Sequence, residues 1–176
     1  MKWITAVFVA MAMIAGATTT SVAQGSSSAC SDRAFRQLNF WVGVWDVRWE
    51  RSPNQAAGSG ANTVTRELGG CVIEENFEGG PSTSNLIGRS VSTFDAQVGH
   101  WRQTWVDNKG GYYALIGGRE GDQFILVNSR LHARAPYLRM VFEDITPTSL
   151  TWRWQNSTDE GQTWRDQWVI YYTRRE

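Results

Sequence analysis

Glu75, Arg89, Gln103 and Asp107 are the side chains of this 176-residue chain whose types and spacing could do chemistry. Each stands in period-two register with apolar or aromatic neighbours. Glu75 alternates with Ile73 and Phe77, Arg89 with Ile87 and Val91, and Gln103 and Asp107 with Trp101 and Trp105. Asn128 and Arg130 align in the same way with Phe124 and Leu126. If these faces share one interior, Glu75, Asp107 and Arg89 must bond each other or a ligand, because an unpaired buried charge is costly. Such a site would let Glu75 or Asp107 carry a proton while Arg89 or Gln103 holds an oxygen. An internal ion pair, or a mouth open to water, is the plainer alternative. The chain has no Gly-x-Ser-x-Gly, no nucleotide-cradling glycine loop and no His-Glu-x-x-His. No cofactor is therefore expected. His100 opens a run beside a turn and His132 lies near a loop. Either could serve as an axial haem ligand or a base, although an exposed turn histidine is the simpler reading of both. Two histidines and two cysteines without short paired spacing argue against structural zinc.

Tryptophan is the other chemical signal, with ten in the chain. Trp45, Trp49, Trp101, Trp105, Trp152, Trp154 and Trp168 could all turn inward from alternating runs. They would then either fill a core or line a pocket whose flat faces stack on an aromatic or polyene-like ligand. The expected ligand site is Trp49, Arg89, Trp101, Gln103, Trp105, Trp152 and Trp154, with Glu75 and Asp107 catalytic if the protein is an enzyme.

The elements that must position these residues are strands. Phe40 to Arg51 puts Trp41, Gly43, Trp45, Val47 and Trp49 on one face and Asp46, Arg48 and Glu50 on the other. Further runs cover 101–107, 124–130, 137–144, 150–155 and 164–173, separated by Gly-, Asn- and Pro-rich turn signals. About ten strands at hairpin spacing, without crossover helices, predict an all-β, antiparallel up-and-down barrel closed on itself. Ser31 predicts an N-cap for a short helix over Asp32–Leu38, docked through Phe35 and Leu38. Ser52 to Ala61 is a polar loop suited to lie over a barrel mouth. Ser157 to Trp164 has the pattern of an Asp-box, but in a single copy it predicts a structural hairpin turn.

Lys2, the apolar run Trp3–Ala15 and Ser21-Val22-Ala23 predict a signal peptide over 1–23, cut before Gln24. A polar leader over 24–34 and one barrel domain over 35–176 would follow. The apolar run is too short for a membrane anchor, which needs roughly 20 residues. Without Lys2 the chain holds 16 basic and 17 acidic residues. That balance does not point to nucleic acid or an anionic membrane as partner. In the periplasm or outside the cell, Cys30 and Cys71 are the natural disulfide. Ala29 before Cys30 leaves a lipoprotein cysteine as the alternative, against which Ser27 stands where an aliphatic residue is wanted.

Asn39-Phe40-Trp41-Val42-Gly43-Val44-Trp45 resembles the first-strand Gly-x-Trp signature of calycins, the group that holds lipocalins and fatty-acid-binding proteins. The resemblance implies a basic residue of the last strand, Arg174 or Arg175, packed over the tryptophan. Gly70-Cys71-Val72-Ile73-Glu74-Glu75, Trp101 to Asn108 and Ser157 to Trp164, in that order, resemble an exported calycin-like bacterial family, the domain of unknown function 1579. That resemblance spans Phe35 to Arg175 and implies the lipocalin-like barrel but no activity. Three functions remain open: a binder of a small apolar or aromatic molecule, a cofactor-independent isomerase, cyclase or lyase using the same cavity, and a structural or interaction module with a filled core.

Overall fold

A computed structural model describes residues 30–52, 55–128 and 137–176. The expected signal peptide, the expected leader up to residue 29, Arg130 and His132 lie outside the described residues. Ten antiparallel strands form a closed barrel in which each strand pairs with its neighbours in sequence and β1 pairs with β10. They are β1 (Gly43–Trp49), β2 (Gly58–Glu67), β3 (Val72–Glu78), β4 (Ile87–Asp95), β5 (His100–Asp107), β6 (Tyr112–Glu120), β7 (Gln123–Asn128), β8 (Tyr137–Glu143), β9 (Ser149–Ser157) and β10 (Arg165–Arg174). Closure leaves no edge strand with unpaired amides.

The two ends of the barrel differ. One is plugged. The N-terminal segment crosses it as two short 3-10 turns, Arg33–Arg36 and Asn39–Trp41, and buries Phe35, Leu38 and Trp41. The expected helix is thus only a turn, with Asp32 rather than Ser31 at its cap position and no side-chain capping bond. Phe35 and Leu38 nevertheless dock as their spacing implied. Cys30 and Cys71 are disulfide-bonded with Cα atoms 5.0 Å apart, which ties the plug to the β2–β3 connection. Beneath the plug Phe40, Trp41, Trp101, Phe124 and Phe142 pack edge-to-face with ring centroids 5.0–6.1 Å apart. Each such pair contributes about 0.5–1.5 kcal/mol beyond area burial. These rings are buried in the core or packed against it.

Arg174 seals the same end. Its guanidinium lies 4.0 Å from the Trp45 ring centroid and donates to the carbonyls of Val42 (2.7 Å), Phe40 (3.0 Å) and Pro147 (2.7 Å). Gly43 is required there. Its φ is 146°, and a Cβ would stand 2.0 Å from an Arg174 nitrogen.

Along the strands the period-two expectation holds for Trp45 and Trp101, both buried, and for Arg48 and Arg102, both exposed. It is inverted on β4. Ile87, Arg89 and Val91 face outward, while Gly88, Ser90 and Ser92 face inward. The inner positions of β4 must be small because long side chains of β3 and β5 already fill the space before them. The polar loop also ends earlier than expected, since β2 takes over at Gly58.

Candidate functional site

The open half of the barrel contains a cavity of about 180 Å³. Its walls are Phe77 from β3, Trp105 from β5, Tyr113 and Leu115 from β6, Met140 from β8, Trp152 and Trp154 from β9, and Trp168 and Ile170 from β10. Local sequence explains the wall geometry. Trp152 and Trp154 are two residues apart on one strand, so they share a face, with ring planes 4° from parallel and centroids 6.3 Å apart. Trp168 stands at 89° to Trp152 and at 90° to Phe77. A break in register between Asp166 and Trp168 turns Trp168 inward and leaves Asp166 outside, where it pairs with Arg153 at 2.6 Å. The Trp105 ring lies against Gly88, where a Cβ would come within 1.9 Å of it.

Glu75 and Tyr172 also line the cavity, and both are buried. Asn62 donates through Nδ2 to Glu75 Oε1 at 2.8 Å and to the Tyr172 hydroxyl oxygen at 3.0 Å. The Ser90 hydroxyl donates to Glu75 Oε2 at 2.6 Å. Loss of water around Glu75 outweighs these two hydrogen bonds and pushes its carboxyl from 4.5 up to about 7. Burial, joined by the nearby Glu75 charge, pushes the Tyr172 phenol well above the usual range, so it stays neutral. Near neutral pH, Glu75 is therefore poised between its protonated and ionised forms.

Asp107 lies at the mouth and is a different kind of carboxylate. Partial burial raises it. The Trp105 indole on Oδ2 (2.9 Å) and the amides of Lys109 and Gly111 on Oδ1 (both 2.8 Å) more than offset that and hold it below the usual range. With three donors committed to it, Asp107 fixes the β5–β6 turn and the Trp105 ring rather than acting as a proton carrier.

Of the expected ligand residues, Trp105, Trp152, Trp154, Glu75 and Asp107 come together at the cavity. Trp49 packs edge-on behind Trp168 at 5.1 Å and donates to the Ala56 carbonyl, one layer away from the space. Trp101 is a correction: it sits at the plugged end, against Phe94 and Phe124, with its indole N–H on Gln37. Gln103 is buried but lies on the plugged side of Trp105 and donates to Ser92 at 2.9 Å, outside the cavity lining. Arg89 is corrected outright, because it is on the outer face and cannot pair with Glu75 or Asp107. Asn62, Ser90, Tyr113 and Tyr172 belong to the site and were not anticipated. His100 is exposed at the start of β5, near the plugged end. Among the described residues no three His, Cys, Asp or Glu side chains converge as metal ligands.

Comparison with family models and with curated proteins gives no match. Function must therefore rest on the cavity itself.

Two further features frame the mouth. A shallower hollow beside it is formed by Gln55, Ala56, Ser82, Thr83 and Ser84 and shares Leu86 and Trp168 with the cavity. Gln55 reaches across to the Ser82 carbonyl at 2.9 Å, so the end of the polar loop does lie at the mouth. The Asp-box segment is a closed turn: Asp159 accepts from the side chain and amide of Thr163 and from Ser157, which hold its carboxyl down to about 2.

Proposed function

We propose that this protein is an exported, calycin-like barrel that binds a small ring-containing molecule in the tryptophan-walled cavity, with Glu75 as its polar anchor. The cavity carries that proposal. An engineered apolar cavity of about 150 Å³ takes up benzene, so a space of about 180 Å³ suits one ring with a short substituent. A long polyene or fatty chain does not fit it. Perpendicular indoles offer faces and edges to such a ring. Arg174 over Trp45, beside Gly43, supports the calycin kinship, and the Cys30–Cys71 disulfide supports an oxidising, exported setting.

Titrating tryptophan emission with one-ring compounds, and with long-chain fatty acids for contrast, tests the proposal. The ring compounds should shift or quench emission in a saturable way while the long chains do not. If no compound perturbs the emission, the protein does not bind such ligands.

One observation favours a second reading. A buried carboxyl near pH 7 beside a neutral phenol is the equipment of a general acid–base enzyme. An enzyme converting the same class of molecule should lose about 10²-fold or more in rate on Glu75→Gln. A binder shows no turnover with either form.

A further inference from the structure

We propose that the ligand is a small organic cation, an arylalkylammonium ion whose ring occupies the tryptophan box and whose ammonium reaches the carboxylate of Glu75. This rests on the binding function proposed above and names the chemical class it serves.

The charge inventory comes first. The cavity lining includes two carboxylates, Glu75 and Asp107, and among the described residues no Lys, Arg or His. Arg89, which sequence register offered to this space, is on the outer face. The walls have the matching chemistry, because four indoles and two phenols present π-electron density that attracts cations. The anchor is incomplete without a positive partner. Glu75 is 5% exposed, and its hydrogen-bond donors, Asn62 and Ser90, are neutral. A buried carboxylate without a counter-charge is unfavourable. An ammonium entering from the cavity supplies that charge and up to three donors. Asp107, held ionised at the mouth, favours approach of a cation over an anion.

The titratable groups around Glu75 are few. Tyr172 faces it from β10, and Asp107 of β5 and Tyr113 of β6 line the same cavity. From β2 and β4, the strands flanking it, only the neutral Asn62 and Ser90 reach it. Burial keeps Tyr172 neutral and its three donors keep Asp107 ionised through this range, so binding should track Glu75. The ammonium binds the carboxylate form, and below about pH 7 it must displace the proton that burial holds there. That proton passes to solvent, and the amine keeps its own.

Calorimetric titration of the mature protein with three probes of one shape tests the inference: phenylethylammonium, 2-phenylethanol and phenylacetate. At about pH 8 the ammonium should bind at least about tenfold more tightly than the alcohol, with the carboxylate weakest. Its affinity should fall about tenfold from pH 8 to pH 6 while that of the alcohol stays level. Glu75→Gln should remove both the preference and the slope. If that variant does not fold, the wild-type pH series decides by itself. Equal or tighter binding of the alcohol or of phenylacetate, a level pH profile for the ammonium, or no ammonium binding at all overturns the cation. In each of those cases ligand binding itself survives if any neutral ring compound still binds, and it falls only if none does.

Discussion

Replacing Glu75 with glutamine should change how the stability of the barrel responds to pH, in a direction and by an amount set by the site. In the folded protein, loss of water moves the Glu75 carboxyl from 4.5 to about 7. A group whose folded pKa is raised contributes stability fully below the unfolded value, and that contribution is lost as pH rises through the folded value. The window therefore runs from about 4.5 to about 7. Between about pH 5 and pH 8 the linkage amounts to roughly 2–3 kcal/mol for a shift of this size. Glutamine is nearly isosteric and keeps both contacts: its oxygen accepts from Asn62, and its amide donates to the Ser90 oxygen. It does not titrate. Urea denaturation of both proteins at several pH values, read as a difference, cancels every other titrating group. The variant should gain on the wild type by that amount as pH rises through the window. A difference that stays constant within about 0.5 kcal/mol would refute the burial of an uncompensated carboxyl at this position.

Other consequences concern the plug and the cavity. Reducing the Cys30–Cys71 bond, which closes a span of 41 residues, should cost about 4 kcal/mol by loop-closure entropy. Thermal melting with and without reductant measures it, and an unchanged midpoint contradicts it. Arg174→Met keeps the side-chain stem but removes the cation over Trp45 and three bonds to carbonyls, a loss of about 2–3 kcal/mol by urea unfolding. Met140→Trp projects an indole into the cavity and should weaken binding of one-ring ligands by roughly tenfold or more, with the fold retained. Full affinity in that variant would place the ligand elsewhere.

How the fold could be read from sequence, and where that stopped, follows from what each signal encodes. Alternation in 43–49 and 101–107 gave the inner and outer faces because large aromatics there meet the core and Arg48 and Arg102 meet water. The same rule failed on β4, where hydrophobicity and direction separate. Ile87 and Val91 are half-exposed on the outside, and the inner residues are small to make room for Trp105, Glu75 and Gln103. Arg89 was therefore placed by its apolar neighbours on the wrong side. Period two also says nothing about depth along the barrel. Trp101 and Trp105 share a face, yet Trp101 packs under the plug and Trp105 lines the cavity, because depth depends on register with β4 and β6. Asn62 and Tyr172 lie 110 positions apart and meet only because β1 joins β2 to β10 on closure. Their one trace in the sequence was a polar residue alternating with Gly60 and Val64 in β2.

Native mass spectrometry of the protein, purified from its own source without a denaturing step, tests ligand binding in this cavity most directly. The wild-type protein should carry, in part, a single added mass corresponding to a one-ring molecule, and Met140→Trp should carry none. Only the mass of the bare chain, together with no response of tryptophan emission to any ring compound, would contradict it.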